Sequence, residues 1–178
     1  MCGTKKLKAL TLGKEALPRF LSLQDEVIAF QEKRKRDNFF KPRYLSDLTD
    51  HTAAGMPVLG VEDSDGKLVA QCLLTYPEKP DAINVEAYPL DGIKKPAVLQ
   101  SFLALPGPNS GYQTGVLFAF AKQKAEHDKR TALVIQVVKQ NKGVIRNMRS
   151  RNGFEVYAEG YDNKLNRDVV YLKLNLQA

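Results

Sequence analysis

The chain has 178 residues, 43% of them hydrophobic and 26% charged, a composition that fits a globular domain with one core and excludes disordered and fibrous classes. A formal net charge of +7 favours anionic partners (nucleic acid, a membrane surface or a phosphate-bearing coenzyme) without choosing among them. No apolar run is long enough to span a bilayer, the N-terminus lacks the apolar segment of a secretion signal, and Cys2 and Cys72 lie in unlike settings that make no disulfide framework, so the cytoplasm is the expected compartment.

Residues 8–12 read as a first strand, ended by Gly13. From residue 15 to about 35, Leu17, Phe20, Leu21, Leu23, Val27, Ile28 and Phe30 recur at helical spacing, with Pro18 in the first turn, where its missing N–H costs nothing. Lys33-Arg-Lys-Arg36 closes this helix, where cations suit the dipole. Residues 38–55 wall a substrate cleft or cover a sheet edge, with a second short helix expected over residues 45–52 and Gly55 and Pro57 as stops. Residues 58–62 and 67–76 read as antiparallel strands about the turn Asp63-Ser-Asp-Gly66. Residues 84–88 are a further strand or an extended loop, and residues 97–105 an apolar strand.

That strand runs into Pro106-Gly-Pro-Asn-Ser-Gly111, and a helix is expected from Gly115, with Thr114 as its N-cap. A strand that turns over glycines into a helix start makes an anion site, because the first-turn N–H groups are unpaired and the dipole adds positive potential. Gly107, Gly111 and Gly115 would permit positive φ and close approach of a ligand. The turn either holds a pyrophosphate or is an ordinary strand–loop–helix connection. Residues 131–138 are a β-branched strand covered on both faces. A short helix bearing Val144, Ile145 and Met148 ends at Gly153, a C-cap, and residues 154–158 and 168–174 are closing strands joined by a hairpin over 160–167.

The resulting order, β-α-α-β-β-β-α-β-α-β-β, is mixed α/β in one domain, 1–178, with a mostly antiparallel sheet of about seven strands flanked by about four helices and parallel pairing beside the glycine turn. With the segment from Asn141 to Gly153-Phe154, this order resembles the GCN5-related N-acetyltransferase (GNAT) family over nearly the whole chain. The family's loop, Q/R-x-x-G-x-G/A, is matched by Ser110-Gly-Tyr-Gln-Thr-Gly115, in which Gly115 fits the last position while Ser110 and Gln113 depart from the pattern.

The resemblance implies the acyl-CoA N-acyltransferase fold and acetyl-CoA, or another acyl-CoA, as co-substrate. It implies that amides of Gly111, Tyr112, Gln113, Thr114 and Gly115, after Ser110, hold the pyrophosphate. The strand edge from Ser101 to Leu105, including Leu103, would pair with the pantetheine amides, Asn141 would touch that arm, and Lys142, Arg146 and Arg149 are either candidates for the remaining phosphate or solvated helix charges. The tyrosine that protonates the leaving thiolate in many relatives is matched here by Met148 or Arg149, so it is absent. Glu86 and Tyr88 are the candidates for acid–base work, unless both belong to a surface strand edge. His51 lines the acceptor site or is structural.

Two His and two Cys, far apart, make no zinc set, and no metal is expected. No serine-hydrolase elbow, Walker loop or dinucleotide fingerprint is present. The expected function is direct acetyl transfer from acetyl-CoA to a primary amine. The alternative is a non-catalytic module of the same fold that contacts protein or nucleic acid, although no nucleic-acid motif accompanies the basic charge. Pairing of two copies through a sheet edge is open.

Overall fold

The computed structural model describes residues 6–34, 40–80, 82 and 85–177. Strand β1 (Lys8–Thr11) leads through a 3₁₀ turn into α1 (Leu17–Lys33) and α2 (Leu45–Ala53). Then come β2 (Val58–Glu62), β3 (Leu68–Thr75), β4 (Pro96–Ala104), α3 (Ser110–His127), β5 (Ala132–Val138), α4 (Lys142–Asn152), β6 (Glu155–Asp162) and β7 (Arg167–Asn175). The element order read from the sequence therefore stands. The seven strands form one sheet in the order β1-β2-β3-β4-β5-β7-β6. Among the described residues only β4 and β5 pair in parallel, and every other pair is antiparallel.

The apolar stripe of α1 packs with α2 on one sheet face, where Phe20, Leu23, Val27 and Leu48 meet Val58, Leu73 and Leu103. On the other face Leu117, Phe118 and Ala121 of α3 and Met148 of α4 meet Leu59, Leu74, Leu99, Leu133 and Phe154. With helices on both faces the central strands are apolar on both sides: β3 is buried at every position and β5 at all but Gln136. Among the described residues no helix is long and apolar enough to cross a membrane.

Two details differ from the sequence reading, at α3 and at Gly160, and between them one open alternative, strand or loop, falls to the loop. Helix α3 begins at Ser110, not Gly115. The Tyr112 and Gln113 amides both donate to the Asn109 carbonyl and start the helix there. Thr114 lies inside it, its hydroxyl donating to the Ser110 and Gly111 carbonyls at 3.0 Å rather than capping. Gly111 and Gly115 are therefore helical, without positive φ. Among the described residues, 85–88 form a turn, closed by Tyr88 N–H to the Val85 carbonyl at 3.0 Å, and not a strand. Asn84 lies outside the described residues, as do Cys2, Lys35 and Arg36. Gly160 sits in β6 and not in the hairpin turn; a Cβ there would stand 3.1 Å from Cε2 of Tyr171, which lies across it.

Gly153 behaves as its position in the sequence predicts. Its φ of 72° ends α4 in the left-handed conformation, and the Phe154 amide closes the turn on the Met148 carbonyl at 3.1 Å.

The feature that positions the site is a parting of β4 from β5. Their ladder runs from Pro96↔Ala132 to Leu99↔Ile135 and stops. Beyond it, β4 follows β3 as far as Ala104↔Ala70, and β5 follows β7 as far as Val138↔Val169. A bulge drives the parting: between Gln71↔Leu103 and Leu73↔Gln100, β4 advances three residues where β3 advances two. Ser101, inside the bulge, takes a φ of 49°, which L-residues seldom adopt outside constrained sites.

Candidate active site

The parting strands open a cleft of ≈ 520 Å³, within the range of small-molecule sites. Gln100 to Ala104 of β4 and Gln136 to Val138 of β5 form its two edges. Ser110 and Thr114 of α3 close one end; Asn141, Val144, Asn147 and Met148 line it from the α4 side. Phe30 and Gln31 of α1, then Lys41 and Arg43 of the connection to α2, complete the wall with Tyr88. Two buried oxygens in this lining, Gln31 Oε1 and Asn147 Oδ1, have no hydrogen-bond partner in the protein. Buried acceptors are rarely left so, and these await a donor from water or ligand.

Of the coenzyme-binding residues expected from the sequence, Leu103, Ser110, Thr114 and Asn141 line the cleft. The Asn141 side chain makes no cap hydrogen bond at the start of α4. Gly111, Tyr112 and Gly115 are exposed on the first turns of α3 beside the cleft, and Gln113 is buried. Nothing lies within 4 Å of a Cβ built on Gly111 or Gly115, so that helix face is open for close approach. Leu105 is half-buried, and its amide is taken by the Val69 carbonyl at 2.8 Å. Arg146 is outside the cleft; with Lys142 and Arg149 it borders a separate depression on the outer side of α4. Met148, not Arg149, is thus the residue that α4 turns into the cleft.

Of the two acid–base candidates, Tyr88 lines the cleft, while Glu86 is exposed in the preceding turn and does not. The Tyr88 ring packs edge-on against Tyr171 at 5.6 Å, and the Tyr171 hydroxyl donates to the Ala87 carbonyl at 2.9 Å, which fixes the turn over the sheet. Burial pushes the Tyr88 hydroxyl well above the ordinary phenol range, more than Arg43 and a hydrogen bond with Gln100 pull it down. Tyr88 is therefore a neutral hydrogen-bonding group at physiological pH.

Beside it is Arg43, only 7% exposed. Its Nε donates to Ser101 Oγ at 3.2 Å and its Nη2 to Gln100 Oε1 at 3.0 Å. Its backbone is held at both ends by the buried Gln24, whose Oε1 accepts the Arg43 amide at 2.8 Å and whose Nε2 donates to the Arg43 carbonyl at 3.1 Å. Burial lowers the Arg43 pKa, opposed by Tyr88 and Asp47; a guanidinium nonetheless stays charged. Further along the wall Lys41 pairs with Asp162 at 2.7 Å, and Gln136 Nε2 donates to the same carboxylate oxygen at 2.6 Å. The other Asp162 oxygen accepts the Lys164 and Leu165 amides of the β6–β7 turn. Burial opposes the Asp162 charge, but the hydrogen bonds from Lys41 and Gln136 outweigh it and lower the pKa. This ion pair ties the α1–α2 connection to the far end of the sheet.

His51 does not line the cleft. It is buried in α2 with Nε2 3.3 Å from the Pro57 carbonyl, and burial pushes its pKa down to about 4. Cys72 is fully buried, and burial raises its thiol pKa. Arg43, Lys41, Gln100, Gln136 and Asn147 were not picked out from the sequence as site residues. Lys41 and Arg43 stand in a segment expected to wall the cleft, but nothing local marks which of its basic residues turns inward.

No family profile matches the sequence, and no curated protein matches it. Solved structures do. An assigned acetyltransferase from Acinetobacter baylyi superposes with a TM-score of 0.71 at 14% identity, covering 99% of this chain and 95% of its own. An assigned acetyltransferase from Salmonella typhimurium, solved with its cofactor acetyl-CoA, gives a TM-score of 0.68 at 15% identity over 97% and 95% of the two chains. An acetyltransferase of the GNAT family from Streptococcus pneumoniae gives 0.68 at 11% identity over 97% and 100%. The chain has the GNAT acetyltransferase fold.

Proposed function

We propose that the protein is an N-acetyltransferase that moves an acetyl group from acetyl-CoA directly to a primary amine. The observation that carries this reading is the parted edge of β4 beyond Leu99, which lies in a cleft ending at the start of α3. An extended ligand rich in amides can continue the ladder there, as an added strand would. Its anionic end can lie against the open face at Gly111 and Gly115, where the helix dipole is positive. Acetyl-CoA matches both needs, and supplies the acetyl group as a thioester.

The chain's own contributions to the reaction follow from the lining. Amides of the β4 edge donate to the thioester oxygen as it gains negative charge. The new C–N bond forms as the C–S bond breaks, and the proton lost by the amine passes through water to the departing thiolate. No Asp, Glu or His is present among the described residues lining the cleft. With none in that lining to act as base, the ammonium form of the acceptor loses its first proton to solvent before attack, the second being the one that reaches the thiolate, and Tyr88 acts as a hydrogen-bond donor that orients the reactants. Incubation with acetyl-CoA and an amine panel, followed by release of free thiol, tests the reading. Amine-dependent thiol release supports it; a folded protein that releases none returns the non-catalytic alternative.

A further inference from the structure

Arg43 presents an unsolved charge problem. Taking a guanidinium out of water costs several kcal/mol unless a counter-charge meets it. Among the described residues Arg43 forms no ion pair. Its two side-chain hydrogen bonds go to neutral oxygens, Ser101 Oγ and Gln100 Oε1. The nearby carboxylate Asp47 acts on Arg43 only through space, with no hydrogen bond or ion pair between them, and its Oδ2 accepts the Tyr44 amide at 3.0 Å. Three of the five guanidinium N–H donors thus have no protein partner, and the side chain faces the cleft. The other nearby cation, Lys41, is already neutralised by Asp162.

The site is also built to keep the group in place. Gln24 clamps the Arg43 backbone from both sides, and the Ser101 hydroxyl reaches it from a bulge held at positive φ. Arg43 is at the end of the cleft where the β4–β5 ladder stops. The start of α3 lies beyond Ala104, roughly 10 Å further along an extended strand, so a phosphate held there and an anion held by Arg43 occupy different ends.

We infer that Arg43 is the receptor for the carboxylate of the acceptor, and that the acceptor is a free α-amino acid. The inference rests on the acetyltransferase reading above and names its substrate class. An α-amino acid anchored by its carboxylate carries its amine one carbon from that anchor, beside the β4 residues Gln100 and Ser101 that Arg43 touches. The lining also disfavours the competing classes. With no acidic residue among the described residues of the lining to hold a second ammonium, and a buried cation beside the amine, a polyamine or a lysine side chain is disfavoured.

The test is binding of each of the twenty L-amino acids and its carboxamide to the wild-type protein, by calorimetry, with acetyl-CoA titrated separately. At least one acid is expected to bind roughly 30-fold more tightly than its carboxamide, the usual worth of a paired charged hydrogen bond. Arg43→Gln removes that preference while leaving acetyl-CoA affinity within about threefold, and Arg43→Lys retains part of it. Equal binding of acid and carboxamide, binding of neither, or a preference that survives in folded Arg43→Gln overturns the inference. If acetyl-CoA fails to bind but the acid preference is present, the carboxylate site stands and the acetyltransferase reading falls. Should Arg43→Gln not fold, the wild-type comparison of acid with carboxamide decides the matter alone.

Discussion

Leu99 and Ile135 are the last residues paired between β4 and β5, and every candidate group in the cleft lies beyond that pair or against it. The bulge at Ser101 turns β4 aside at the next residues. One local irregularity thus creates both the free backbone edge that an amide-rich ligand can pair with and the gap that holds it.

The absence of a carboxylate or imidazole from the described lining has a kinetic consequence. The reaction rate should rise with pH through the pKa of the acceptor amine, not through that of a protein group. Acceptors whose amines differ by about one pKa unit should shift the midpoint of the rate profile by about the same amount. A midpoint common to all acceptors would mean that a protein base does the work.

His51 predicts acid sensitivity. It is fully buried, and its folded pKa of about 4 lies below the ordinary value of 6.5. Between those values the unfolded chain binds the proton and the folded chain does not. The stability contribution is therefore full above pH 6.5 and is lost as pH falls toward 4, by up to about 3 kcal/mol. Thermal melts across this window should show the decline, and His51→Gln should flatten it.

The Lys41–Asp162 pair, shared with Gln136, should hold the α1–α2 connection against the sheet. Lys41→Met leaves a largely buried carboxylate without its cation and should cost about 2 kcal/mol, toward the lower end because Lys41 keeps some solvent contact. Denaturant melts of Lys41→Met and of the double variant Lys41→Met/Asp162→Asn give the check. The double variant should recover part of the loss, since no uncompensated charge remains.

The sequence carries the fold more legibly than the site. Strands such as Ala132–Val138 announce themselves because a run of β-branched residues buried on both faces has few other uses. The start of α3 reads too late from the sequence because glycine argues locally for a loop, costing about 1 kcal/mol in a helix, while Gly111 and Gly115 lie inside one whose outer face is kept bare. The bulge at Ser101 has no signature of its own, and its positive φ falls on a serine where a glycine would have given notice. Arg43 is found only through tertiary contacts: Gln24, Gln100 and Ser101 are 19, 57 and 58 residues away in the chain.

The most direct measurement is a calorimetric titration of the protein and of Gly115→Glu with acetyl-CoA. A Cβ at Gly115 meets no protein atom within 4 Å, and the position is helical, so the variant should fold as well as the parent or better. Its carboxylate would stand on the helix face assigned to the coenzyme phosphates. Micromolar binding by the parent, weakened at least about tenfold in Gly115→Glu, is the predicted result. No binding by the folded parent, or equal binding by both proteins, would contradict the assignment of this cleft to acetyl-CoA.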